Sequence, residues 1–129
     1  MEKRVINPWN WQNERSYNQA VEVTNSAGTL YVSGQTAIND QGESSTADMK
    51  IQLELAIKNL EQVITEAGYD SKNIVRLNIY TTSTKDLWPH FNILQNWVKK
   101  HDMQQALTLL EVVSLFETLT VELEATVVK

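Results

Sequence analysis

"TVELEATVV", Thr120 to Val128, is the stretch on which the fold turns. Its side chains alternate. Val121, Leu123, Ala125 and Val127 would share one face of a strand, and Glu122 and Glu124 the other. The first face belongs in a core. The second sets two carboxylates side by side. Antiparallel sheets often leave one face wet, so these carboxylates either sit in solvent or line a cleft where a carboxylate has chemistry to perform.

The same period of two recurs elsewhere. "AVEV" leads through Asn25-Ser26-Ala27-Gly28 into "TLYVSGQT", the pattern of a hairpin with a four-residue loop. "NIVRLNIYTT" alternates from Ile74 to Tyr80, and "ALTLLEVVSLF" is apolar and β-compatible throughout. Arg4 to Ile6 offers a further short strand. Two segments switch to a helical period. From Ser45 to Ala67 the residues Met49, Leu53, Ala56, Leu60, Val63, Ile64 and Ala67 form a stripe. Ser45 and Asp48 resemble a capping box, and Gly68 marks the stop. A second helix is expected from Asp86 to His101, with Leu87, Phe91, Leu94 and Val98 as its stripe and Pro89 in its first turn. Lys99, Lys100 and His101 suit the negative helix end. Trp97 reads as core packing.

The order is strand, strand, helix, strand, helix, strand, strand. It predicts an α+β fold of two layers, a mixed sheet with two helices on one face. The uncovered face is expected to be too apolar for water and to bury against other subunits. A chain of 129 residues suits one domain spanning 1–129 and needs no covalent staples. There is no cysteine, which excludes disulfides and thiolate metal sites and suits the cytoplasm. "MEKRVINPW" has no apolar signal core, and no run is long enough to span a membrane. A net charge of −5 has the wrong sign for a nucleic-acid binder. His90 and His101 show no metal-ligand spacing, so no metal is expected.

"VSGQT", "LNIYTT" and "VELEATVV", in this order and spacing, resemble the YjgF/RidA family, and "LLEVVSLFETLTVELEA" aligns to its pattern without a gap. The resemblance implies a chorismate-mutase-like fold and a homotrimer with a small-molecule cleft at each subunit interface. The activity it implies is deamination of reactive imines and enamines, hydrolysed to a carbonyl compound and ammonia without a cofactor. Such chemistry needs a placed water, a group to take its proton and an anchor for the substrate. Carried over by position, the resemblance makes Glu122 and Tyr17 the catalytic candidates and Ser33, Gly34 and Asn92 substrate contacts. Glu124 also matches but has no assigned chemistry. The chain departs from the family at three places. Arg15-Ser16 replaces a Gly-Pro before Tyr17, and Phe116 replaces a proline. Leu107 stands where the family's deaminases carry an arginine that grips the substrate carboxylate. The resemblance therefore implies weak turnover of ordinary 2-imino acids. Arg76, on another strand, is not expected to replace the anchor. Trp9 and Trp11 read as interface or core packing in preference to the mouth of the cleft. Two further readings stay open: a non-catalytic trimer that binds a small metabolite or regulates a partner, and the endoribonuclease activity of some family members. The acidic balance counts against the latter.

Overall fold

The structure, a computed structural model, describes residues 1–129. Six strands form: β1 (Glu2–Ile6), β2 (Ala20–Thr24), β3 (Thr29–Gln35), β4 (Ile74–Thr81), β5 (Ala106–Glu111) and β6 (Val121–Val128). The main sheet runs β3-β6-β4-β5. β6 is antiparallel to both of its neighbours, and β4 and β5 are parallel. The opening stretch of sequence is thus the middle of the sheet. Val121, Leu123 and Val127 are fully buried and Ala125 nearly so. They pack with Leu77 and Ile79 of β4 against helix α1 (Met49–Glu66). A leucine or valine sealed in this way contributes about 1.5–3 kcal/mol by leaving water. A second helical stretch, α2 (Thr84–Leu87) and α3 (Phe91–Lys100), adds Leu87, Leu94, Trp97 and Val98 to the same core. The two-layer mixed-sheet architecture expected from the sequence is the one observed.

Details of the helices differ from the periodic reading. The N-cap of α1 is Asp48, whose carboxylate accepts from the Ile51 N–H at 3.1 Å. Ser45 lies outside the helix and accepts from the Ala47 N–H. Ile57 and Gln52 are buried where Val63 and Ala67 had been expected; the latter two face solvent. Gly68 ends the helix as anticipated. Its φ is +79°, and its own N–H and that of Tyr69 donate to the carbonyls of Thr65 and Ile64. Alanine there must adopt a left-handed conformation at a cost of roughly 1 kcal/mol. Gly68→Ala is therefore expected to lower the unfolding free energy by that amount, read as a lower urea midpoint with an unaltered slope.

The second helix is broken where one run from Asp86 to His101 had been expected. Ser83 caps it early, accepting from the Asp86 N–H at 3.2 Å. That start places Pro89 past the first turn, where a missing N–H interrupts the hydrogen-bond ladder. The chain tightens into a 3-10 turn at Trp88–His90 and restarts at Phe91.

The expected hairpin is not formed. β2 pairs with β1 in a separate two-stranded ribbon, and β3 takes β6 as its partner. Asn25, at φ 56°, turns the chain between the two sheets. The N–H groups of Ala27 and Gly28 then bind the Lys129 carbonyl at the end of β6. The Leu30 and Val32 face of β3 matches the core face of β6, and burial of that face selected the partner over the nearer strand in sequence. A further correction concerns the face without helices. Its centre carries Asn78, Tyr80, Glu122, Glu124 and Thr126 and is polar. Exposed apolar groups gather at the margins, with Tyr31 on β3 and Leu110 on β5.

Candidate functional site

The polar face is built around a bulge. Val32 pairs with Ala125 and Gln35 with Leu123, so both Ser33 and Gly34 fall opposite Glu124. Bulges of this kind bend a strand and redirect its side chains. Here the bulge brings Gly34 against the side chain of Glu122. A Cβ on Gly34 would lie 2.5 Å from the Glu122 Cδ and Oε1 and 2.9 Å from Cγ. Glycine is what leaves room for that carboxylate. Glu122 is raised above the ordinary carboxylate range, first because burial disfavours its charged form and second because the charge of Glu124 lies close by.

Glu124 has a structural task, in keeping with the lack of assigned chemistry. Its Oε1 accepts from Asn78 Nδ2 at 2.8 Å and from the Tyr80 hydroxyl at 3.2 Å. Burial, that hydrogen bond and the nearby carboxylates raise the Tyr80 phenol. Tyr80 therefore stays a neutral donor that holds Glu124 beside Glu122. Ser33 borders a hollow of about 320 Å³ with Arg76, Asn78 and Glu124. Arg76 donates to Thr108 Oγ1 at 2.8 Å on this face.

Tyr17 and Leu107 lie elsewhere. Leu107 pairs with the buried Leu77 and packs on the helix side of the sheet, whereas Glu122 pairs with Tyr80 on the open side. Leu107, Leu109, Tyr17, Trp88 and Phe91 line a cavity of about 680 Å³, together with Glu14, Arg15 and Gln95. The segment carrying Tyr17 is fastened to β5. Gln105 Nε2 donates to the Ser16 carbonyl at 2.8 Å, and the Asn18 N–H donates to the Gln105 carbonyl at 2.9 Å. Ser16 adopts φ 63° and closes the 3-10 turn Asn13–Arg15, which presents Glu14 and Arg15 to the cavity. Asn92 is exposed on α3 and is not among the cavity-lining residues, although its neighbour Phe91 is. Trp9 and Trp11 are 58% and 47% exposed, so they are not core residues. Trp11 stacks on Trp9, sets its edge to Tyr17 at 6.4 Å and carries the Arg15 guanidinium 4.9 Å from its ring centre. Sequence reasoning missed Arg15 as a cavity residue; its one signal was the Arg15-Ser16 departure. Within one chain the site residues thus form two halves, Gly34 with Glu122 and Tyr17 with Leu107.

A two-layer α+β sandwich with a glycine-seated carboxylate on its open sheet face defines the class of protein. The profile of the family Endoribonuclease L-PSP matches residues 10–129, and the chain belongs to that family, which is the YjgF/RidA family. A RutC family protein of Aquifex aeolicus is 33% identical over 113 residues, covering 88% of each chain. The crystal structure of YyfB, a Rid family protein of Yersinia pestis, superposes over 100% of both chains with a TM-score of 0.86 at 28% identity. E. coli TdcF, crystallised with bound serine, shares the fold with a TM-score of 0.71 at 23% identity, over 88% of this chain and 87% of its own. No helix is long and apolar enough to cross a membrane.

Proposed function

We propose that this family member hydrolyses reactive imines and enamines. An enamine first takes a proton on carbon to become the imine. Water then adds to the C=N carbon while a base takes its proton and returns it to the nitrogen. The resulting carbinolamine gives up its hydroxyl proton to the nitrogen as the C–N bond breaks, releasing ammonia and the carbonyl compound. The observation that carries the reading is the Glu122 carboxylate against Gly34, raised by burial toward the pH at which a general base works best. Its companion half, Tyr17 above Leu107, faces the other side of the sheet. The reading therefore calls for a homotrimer in which one copy's Glu122 meets another's Tyr17 cavity. No step requires a cofactor.

The test is an imine generated in place by an amino-acid oxidase, with its decay followed in the presence of the protein. Glu122→Gln is expected to remove the parent's acceleration and return decay to the buffer rate. For ordinary 2-imino acids that acceleration is expected to be weak, because Leu107 supplies no carboxylate anchor. An unchanged rate in Glu122→Gln, or no acceleration by the parent protein, would overturn the reading. The same variant has a stability signature. Because the folded pKa lies above the unfolded one, the native state binds the Glu122 proton more tightly. Stability contributed by the protonated group is present below the ordinary carboxylate range and falls as pH rises through the raised value. Glu122→Gln is thus expected to be the more stable protein at neutral pH, with the difference vanishing in acid.

The separation of the two halves favours one second reading, a trimer that binds a small metabolite without turning it over. It predicts binding by the parent protein with no imine decay. Endoribonuclease activity gains no support from a chain of net charge −5.

A further inference from the structure

The cavity over Leu107 has a polarity that Leu107 alone does not explain. Its floor is apolar, Leu107 and Leu109, and its side wall is the Trp88–Phe91 pair, edge to face at 5.2 Å. Arg15 and Glu14 stand among the lining residues on the turn before Tyr17. The Arg15 side chain makes no ion pair and no hydrogen bond within the chain; it rests on the Trp11 ring. Within the chain all five of its N–H donors are therefore unengaged. A guanidinium held over an indole has its planar fork pre-positioned. The Glu14 carboxylate likewise has no side-chain partner, while its backbone carbonyl is tied to Gln95 Nε2 at 3.0 Å. A positive and a negative group thus border one pocket, above an apolar floor.

From this geometry we infer that the cavity selects a zwitterionic, amino-acid-like ligand with a bulky apolar side chain. Its carboxylate meets Arg15, its ammonium or iminium nitrogen meets Glu14, and its side chain lies on Leu107 and Leu109. An arginine at the floor would anchor a carboxylate where this pocket accepts hydrocarbon. Here the anchor has moved to the rim, and the ligand is turned accordingly. A lone hydrophobic carboxylate would be repelled by Glu14, and a lone hydrophobic amine by Arg15. A volume of about 680 Å³ has room for a phenylalanine-sized molecule between the aromatic wall and the floor. The inference rests on the proposed imine chemistry only for the identity of the turned-over species; binding can be read without it.

The experiment is calorimetric titration of the parent protein with L-phenylalanine, L-leucine, L-alanine, 3-phenylpropionate and phenethylamine, repeated on Arg15→Gln, Arg15→Lys and Glu14→Gln. Both residues are exposed, and an unchanged melting temperature confirms folding. Phenylalanine and leucine are expected to bind more tightly than alanine and than either single-charge analogue. Arg15→Gln should weaken phenylalanine binding roughly ten- to a hundredfold, as loss of a charge-assisted pair implies. Arg15→Lys should recover only part of that, because an ammonium cannot reproduce the fork. Glu14→Gln should narrow the gap between phenylalanine and 3-phenylpropionate. Equal affinities for alanine and phenylalanine, unaltered binding in Arg15→Gln, or no binding of any of the five would overturn the inference. Phenylalanine binding that depends on Arg15, without imine decay, would sustain it and remove the proposed hydrolysis. Imine decay that depends on Glu122 but not on Arg15 would do the reverse.

Discussion

Gln52→Ala is expected to destabilise the fold by about 2–5 kcal/mol, the range for a buried large-to-small change that also strands polar partners. Gln52 is fully buried in α1. Its Nε2 donates to the carbonyls of Ala47 at 3.0 Å and Thr118 at 3.2 Å, and its Oε1 accepts from the Thr120 N–H at 2.9 Å. The amide thus ties the start of α1 to the chain entering β6, just ahead of Glu122. Alanine would leave three backbone groups without partners and a void the size of an amide. Total stabilities of such domains run about 5–15 kcal/mol, so the variant should melt at a visibly lower temperature or accumulate as insoluble protein. A shift smaller than about 1 kcal/mol in urea would show that water replaces the amide freely and that the link is not structural.

Gly34→Ala is expected to be the opposite kind of change, costly to turnover and mild for stability. The Gly34 φ lies outside the left-handed region, so alanine suits the backbone. The added methyl occupies the place of the Glu122 carboxylate, and the flexible glutamate moves to avoid it. A displacement of about 1 Å of a reacting group costs on the order of a hundredfold in rate. Imine decay should fall by that order while the melting temperature stays within a degree or two of the parent. Undiminished decay would mean that Glu122 acts from another rotamer and that the fit against Gly34 is incidental.

The layer architecture was legible because burial writes itself into period. The alternation of Val121 to Val127 and the stripe of α1 each named the side that meets the core. The hairpin was misread for the same reason. A local loop and two alternating runs look alike whether the strands pair with each other or with distant ones, and only the burial of Leu30 and Val32 against β6 decides. The break at Pro89 depended on a helix start one turn earlier, a matter of one serine cap. The site was legible in part. Glu122 and Gly34 do meet, and Tyr17 and Leu107 share a cavity, but the opposite facing of the two pairs follows from strand register, which periodicity alone does not give. Arg15 escaped because it lies on a short 3-10 turn, closed by the left-handed Ser16, with no repeat to announce it. Asn92 has the helical address expected of it but an exposed side chain.

The place of β6 in the sheet has a consequence for synthesis. It is translated after every strand and helix it touches, and it separates β3 from β4. Until it leaves the ribosome, β3 has no edge to pair with and α1 has only part of a surface to lie on. The growing chain therefore carries the apolar faces of β3, β4 and α1 uncovered for most of its time on the ribosome, when strand edges and greasy helices are most prone to association. Closure comes as a single late event, when one strand inserts between two waiting ones. Native contacts in this molecule are thus long in sequence, and folding should be paced by that insertion and not by formation of the helices.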